Sequence, residues 1–205
     1  MKFTRFLLLC TAGVLVSACG QVATKPQAPA EFSTVKVANP YLQSQVAVPE
    51  AVLARMAEAK TAKESGELVR VLEILDGVST EYPNLSGPYL NAAIVHGLLE
   101  QPQEAEQKLR KAISVNPKNV FAYNQLAVLQ TENGRFEDAE KSYQAALAIW
   151  PSYADAHRNL GILYDLYLNQ PAKALNHFRT AKAQAEDEDK QLNNWIVEVE
   201  RRVQQ

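Results

Sequence analysis

A repeat of 34 residues is the feature that most constrains the fold of this chain. Shifting the sequence against itself by 34 positions carries Pro83 onto Pro117 and then onto Pro151. Further along the shift becomes 35, so that Ala139 corresponds to Ala174, and the extra residue is expected in the turn at residues 168–170. A period of this length is typical of repeat architectures, in which one small unit cannot bury its own apolar face and copies must stack. The spacing therefore predicts a solenoid.

The clearest copy of the unit, residues 120–153, predicts two short helices joined by a turn. Asn133 and Gly134 form the turn, because glycine accepts the left-handed backbone that ends a helix. Pro151 ends the second helix, since proline has no amide hydrogen to continue it. Small residues such as Ala127 and Ala139 let the two helix axes approach closely, near the short end of the usual 8–10 Å.

This unit resembles the tetratricopeptide repeat, whose length is about 34 residues. Three copies follow the pattern, at 86–119, 120–153 and 154–187, and a weaker fourth lies at 52–85. The resemblance implies an all-α fold, a helix-turn-helix solenoid of about four repeats in a domain spanning residues 50–205. The apolar residues of 187–204 fall at helical spacing and predict a capping helix that shields the last repeat; they are Leu192, Trp195, Ile196, Val199 and Val203.

Residues 1–19 have the pattern of an export signal. Lys2 and Arg5 precede an apolar run, 6–16, that is too short to span a bilayer as a stable helix. The end of the run, residues 16–19, resembles the lipobox of bacterial lipoproteins, which implies cleavage before Cys19 and its lipidation. The alternatives are an ordinary signal peptide with a chance cysteine, or an uncleaved anchor. Gly20 stands where an aspartate often retains such lipoproteins on the inner membrane, so the resemblance implies a lipid anchor in the outer membrane, facing the periplasm.

Residues 20–49 predict a flexible, proline-rich linker. The segment holds four of the ten prolines and few charges, so it cannot bury enough apolar surface to fold alone. We expect it to act as a tether. The alternative is that its apolar residues dock on the first repeat or on a partner; they are Phe32, Val35, Val37, Tyr41 and Leu42. Cys10 would leave with the signal, so the mature chain would have no disulfide.

The composition gives no sign of reaction chemistry. The net charge of −2 offers no electrostatic basis for binding nucleic acid. Three histidines are present without a ligand cluster around them, and no glycine-rich phosphate loop occurs. We expect no enzymatic activity, no metal, no cofactor and no small-molecule substrate.

The remaining function is the binding of another protein. In tetratricopeptide arrays the first helix of each pair lines the concave face, and the repeat register then predicts a partner site there. Apolar residues would hold side chains of a peptide, Asn124 would pair with its backbone, and Arg158 would offer a fork to a carboxylate. The predicted site comprises Leu90, Ile94, Phe121, Asn124, Val128, Arg158, Ile162 and Asp165. Part of this stripe is alternatively covered by the chain's own linker.

Three roles fit such a protein. The first is an envelope scaffold that gathers other proteins in a membrane-anchored groove. The second is a pilotin-like lipoprotein that carries a secretin or a type IV pilus subunit, because pilotins also combine a lipobox with repeats. The third is an accessory of a TonB-type transport complex, because the segment 161–178 resembles one in exported repeat proteins near TonB-type systems. The first role requires least of the sequence and is the one we expect.

Overall fold

The computed structural model describes residues 34–43 and 47–205, and this part of the chain is helical without strands. Its helices are α1 (Pro40–Gln43), α2 (Glu50–Glu64), α3 (Leu68–Glu81), α4 (Ser86–Leu98), α5 (Pro102–Val115), α6 (Val120–Glu132), α7 (Phe136–Ile149), α8 (Ala154–Ile162), α9 (Pro171–Gln184) and α10 (Lys190–Val203). Helices α2 to α9 form four consecutive pairs, and α10 packs on α9. The predicted all-α solenoid of four repeats with a capping helix is confirmed.

The turn inside each repeat uses a left-handed residue at one fixed position. That residue is Gly66 with φ 77°, Glu100 with φ 56°, Gly134 with φ 71° and Asn169 with φ 49°. Only glycine adopts this backbone without steric cost, and asparagine tolerates it better than most residues. The left-handed conformation is therefore imposed by the repeat rather than by the local sequence, since Glu100 adopts it although glutamate disfavours a positive φ.

The extra residue of the fourth repeat lies inside a helix. The sequence alignment places it in the turn at residues 168–170, but α8 continues into a π-helical turn, Leu163–Tyr167. There the amide of Leu168 donates to the carbonyl of Leu163 over 3.0 Å, an interval of five residues. A single π turn is the usual way for a helix to absorb one inserted residue. The insertion widens the end of α8 and leaves Leu166 and Tyr167 exposed.

Alanines form the contacts between the paired helices. Ala105, Ala139 and Ala174 occupy one position of the repeat and are each at most 2% exposed. Larger side chains fill the space beside them in three successive core clusters, which follow the array from α2 to α10. The last cluster is the largest and includes Leu192, Ile196 and Val199 of the capping helix. Each repeat thus buries its apolar face against its neighbour, which is how solenoid proteins are stabilised.

The capping helix begins later than the sequence suggests. Asp189 caps it by accepting a hydrogen bond from the amide of Leu192 over 3.0 Å, and its helical residues are Lys190–Val203. Val203, predicted to lie on the buried face, is 42% exposed at the C-terminal end of the helix. Within 34–43 and 47–205, no helix combines the length and apolar character needed to cross a membrane.

Residues 34–43, called the strap below, lie along one edge of the array. This edge is formed where each second helix ends and the next first helix begins. The strap contacts Gln184 at the end of α9, Ser152 between α7 and α8, and Ser86 at the start of α4. The described part of the predicted linker therefore docks across the second to fourth repeats, whereas Phe32 and the lipobox lie outside the described residues.

Candidate peptide-binding groove

The first helices of the repeats line one face of the array, and two adjoining pockets lie along it. One pocket, of about 320 Å³, opens between α2, α3 and α4. The next, of about 270 Å³, opens between α4, α5 and α6. Ile94 of α4 lines both pockets, so the two form one groove across the first three repeats. Pockets in series along successive helices suit an extended or helical peptide that places several side chains in a row.

The groove is apolar at its base and carries different charges at its two ends. Met56 and Ile94 provide apolar surface. Lys60 and Lys63 of α2 line the pocket at the first repeat, whereas Glu132 of α6 lines the pocket at the third. Lys60 Nζ also lies 3.9 Å from Oε1 of Glu64. Both side chains are exposed, and such an ion pair contributes little to stability. The lysines therefore remain accessible to a charged group on a partner.

The apolar residues of the predicted site are half-buried, as a binding surface requires. Leu90 packs against the core cluster of the second repeat, and Val128 and Ile162 pack against the last cluster. Val128 lines the second pocket together with Ile94. Ile162 lies one repeat further, beyond these two pockets. The structure thus brings Ile94 and Val128 together in the groove, whereas Leu90 lines neither pocket.

The two polar residues of the predicted site are engaged inside the protein. Asn124 is only 4% exposed, and its side-chain oxygen accepts a hydrogen bond from Asn159 over 3.2 Å. The Arg158 guanidinium donates to Gln191 over 3.1 Å and lies 5.3 Å from the ring centre of Trp195. Their pairing with a partner peptide stays a prediction, and it would require these contacts to be exchanged.

Asp165 and Phe121 also have partners within the chain. Arg202 of α10 donates to both carboxylate oxygens of Asp165, over 2.7 and 2.8 Å, which fastens the capping helix to the π turn. The ring of Phe121 meets Tyr41 of the strap edge to face at 5.8 Å. The strap and the capping helix therefore occupy two of the predicted positions, while the first three repeats keep an open groove.

Several groove residues are missing from the predicted site although the repeat points to them. Lys60 is one of them, and it is related to Ile94 and Val128 by steps of 34, so a known groove position in one repeat predicts the others. Asn91 and Gln125 are a second such pair, and each lines a pocket. The alanine pattern of the first repeat is degenerate and gave no groove position, yet its first helix provides one wall of the groove.

Titratable residues do not gather into a metal site in the described chain. Across residues 34–43 and 47–205, no group of three or more histidine, cysteine, aspartate or glutamate side chains is placed to hold an ion. Histidines meet at one place, where His157 and His177 lie 2.9 Å apart between their Nδ1 atoms, half-buried between α8 and α9.

Comparison with known proteins agrees with this fold. Residues 120–187 match the family model described as tetratricopeptide repeat. Curated protein sequences give no significant match. Many solved structures are similar. Their sequence identity to this chain is low, so the similarity shows a shared fold and nothing beyond it.

Three of these structures illustrate the similarity. PilF of Pseudomonas aeruginosa has a TM-score of 0.68 at 18% identity, over 76% of this chain and 70% of its own. A thermophilic tetratricopeptide repeat protein of Thermus thermophilus has a TM-score of 0.63 at 22% identity, over 74% and 82%. MamA of Desulfovibrio magneticus, from residue 41 to its end, has a TM-score of 0.63 at 18% identity, over 77% and 88%. Residues 120–187 thus match the tetratricopeptide repeat, and the array as a whole has the fold of a tetratricopeptide repeat solenoid.

Proposed function

We propose that this protein is a membrane-anchored scaffold of the bacterial envelope that binds a segment of another protein in its concave groove. The observation that carries the proposal is the pair of adjoining pockets that share Ile94. Tetratricopeptide arrays are protein-binding folds, and no residue of the strap or of the capping helix lines the two pockets of the groove. It holds apolar surface at a place where a monomeric array has no structural need for it.

The groove favours a partner segment of defined chemistry. Apolar side chains at regular spacing would enter the pockets beside Met56 and Val128, as the anchors of an amphipathic helix do. An acidic group on the partner would face Lys60 and Lys63, and a basic group would face Glu132. The charged ends give the segment a direction in the groove, because the reversed segment would bring like charges together.

The proposed lipid anchor rests on the sequence alone. The lipobox at 16–19 and the short apolar run before it support lipidation of Cys19. Several acyl chains on one residue would hold the protein stably, whereas a single chain binds only marginally. We propose the outer membrane as the location, because Gly20 follows Cys19. The array would then face the periplasm.

A comparison of two surface changes tests the groove. Ile94→Gln places a polar group between the two pockets at similar volume, and Val69→Gln makes the same kind of change on α3, where Val69 is 67% exposed. Each tagged variant is crosslinked in cells, recovered from membranes and analysed by mass spectrometry, with its helicity and melting temperature measured in parallel. We expect Ile94→Gln to lose the proteins that the wild type and Val69→Gln recover. Equal recovery by a folded Ile94→Gln variant would place the partner site elsewhere.

A further inference from the structure

The first half of the strap is held to the edge of the array through its backbone. The carbonyl of Val35 accepts hydrogen bonds from Ser152 Oγ over 3.0 Å and from Gln184 Nε2 over 3.1 Å. The amide of Val37 donates to Ser152 Oγ over 2.6 Å, and its carbonyl accepts from Trp150 Nε1 over 2.6 Å. Ser152 thus uses its hydroxyl both as a donor and as an acceptor towards the strap.

The side chains of this part of the strap point outward. Val35 is 69% exposed and Val37 is 43% exposed, although their backbone groups are bonded. The array side of the contact is buried, since Ser152 and Gln184 are each 6% exposed. The edge therefore carries polar side chains aimed at the main chain of an extended segment, which is the chemistry of a peptide-binding site.

The second half of the strap is held by its side chains. Tyr41 packs edge to face on Phe121, the first-turn residue of α6, and its hydroxyl lies 3.4 Å from that of Ser86. Ser86 Oγ in turn accepts a hydrogen bond from the side-chain Nδ2 of Asn119 over 3.0 Å, which connects the starts of α4 and α6. Asn39, between the two halves, is 6% exposed. The strap consequently spans three repeats with contacts at both of its ends.

The direction of the strap is opposite to that of the repeats. Its first bonded residue, Val35, lies at the end of α9 in the fourth repeat, and its last residues lie beside the second repeat, before the chain enters α2 at Glu50. A chain held first at Glu50 would be connected to Cys19 by 31 residues, which span at most about 110 Å. Held first at Val35, it is connected by 16 residues, which span at most about 55 Å.

We propose that this edge is a binding site for the chain's own strap, and that the docked strap moves the attachment point of the array from its first repeat to its fourth. The inference rests on the lipid anchor proposed above. It predicts that the fourth repeat lies closest to the membrane, while the open groove of the first three repeats extends away from it towards a partner.

The test measures which repeat lies near the lipid. Full-length lipidated protein is placed in phospholipid vesicles that carry a quencher on their headgroups. A fluorophore is attached through Asn84→Cys or through Asp187→Cys, two exposed positions that follow α3 and α9 at equivalent points of the repeat. Both labels are measured again with Trp150→Phe and Ser152→Ala combined, which removes hydrogen bonds to the strap and retains an aromatic ring at 150. Ser114→Ala is the control, because that serine bonds within α5, to the carbonyl of Lys111.

We expect stronger quenching at 187 than at 84 in the wild type and in the control, and loss of this difference in the strap variant. Faster hydrogen exchange of the Val37 amide would accompany the loss. Should the double variant fail to fold, Tyr41→Ala tests the same prediction from the side of the strap. Equal quenching at the two positions in the wild type, or a difference that the folded strap variants keep, would overturn the proposal. A failed anchor looks different, because the protein then does not sediment with vesicles and neither label is quenched.

Discussion

Gly161 of α8 and Phe178 of α9 are in contact at a point where no side chain fits on the glycine. A Cβ built on Gly161 would lie 2.5 Å from Cε1 and 2.6 Å from Cδ1 of the Phe178 ring. Phe178 is 1% exposed and stacks on Trp195 of the capping helix at 5.7 Å, so its ring has no free space to move into. The last repeat and its cap therefore depend on the absence of one methyl group.

We expect Gly161→Ala to destabilise the protein by about 1–3 kcal/mol, because overpacking forces the Phe178 ring out of place. Gly97→Ala is the matched control: it is also in a first helix, and nothing lies within 4 Å of its added Cβ. That control should be neutral or stabilising by up to about 1 kcal/mol through helix propensity. Urea unfolding of both variants measures the free energies, and a Gly161→Ala midpoint at or above that of Gly97→Ala would contradict this packing.

The left-handed turn position gives a stabilising substitution. Glu100 has φ 56°, and a residue with a side chain pays roughly 1–2 kcal/mol for this conformation. Glu100→Gly removes that strain but adds freedom to the unfolded chain, so we expect a net gain of about 0.5–1 kcal/mol. Gly134→Ala, at the same position one repeat later, should be destabilising because φ there is 71°. Thermal melting of the two variants checks the opposite signs, and a loss in Glu100→Gly would show that its carboxylate matters more than the turn.

The buried histidine pair predicts a loss of stability in mild acid. Burial lowers the pKa of His157, and burial, together with the charges of His157 and Lys173, lowers the pKa of His177 to about 4. His157 Nε2 donates to the carbonyl of Pro151 over 3.0 Å, so its Nδ1 accepts a hydrogen from His177 in the neutral pair. A second proton has no place between the rings.

The difference in proton binding between the folded and unfolded states determines whether stability rises or falls with pH. In the unfolded chain these histidines titrate near 6.5, so between pH 6.5 and about 4 the unfolded state binds more protons and stability falls as the pH falls. We expect the free energy of unfolding to drop by at most about 3 kcal/mol for His177 across this range. Replacing the pair by His157→Gln with His177→Leu should flatten the dependence of stability on pH. A wild-type stability that is constant from pH 7 to 4.5 would be inconsistent with a buried neutral pair.

Lipidation is tested at Cys19. Cys19→Ser removes the thiol that would carry the lipid, so we expect loss of label from a fatty acid analogue and release from membranes or retention of the uncleaved signal. Cys10→Ser is the control, because Cys10 lies within the segment that would be removed. Label retained by the Cys19→Ser variant would exclude the proposed anchor.

The sequence was sufficient for the repeat and its core because both are set by spacing. Ala139 and Ala146 are fully buried where the 34-residue step predicts, and Gly134 adopts the left-handed turn. Leu192 and Ile196 of the capping helix are buried as well. Small residues at fixed intervals leave few alternatives for helix packing, so the fold follows from pattern alone.

The repeat spacing could not predict contacts between segments that are distant in the sequence. The hydrogen bonds from Trp150 and Ser152 to the strap involve its backbone, which has no sequence signature. The engagement of Arg158 depends on where α10 folds back, which a helical periodicity does not specify. The repeat register predicts that Arg158 binds a partner, whereas its hydrogen-bond partner in the structure is Gln191 of the same chain.

Site-specific photo-crosslinking in cells tests directly whether a partner segment binds the groove of the first three repeats. A benzophenone amino acid is introduced in place of Lys60, in place of Gln125, or in place of Val69 on the second helix α3. We expect the substitutions at Lys60 and Gln125 to give an adduct with the same partner protein, and the substitution at Val69 to give none. An identical adduct from all three positions, or an adduct from Val69 alone, would contradict binding in the groove.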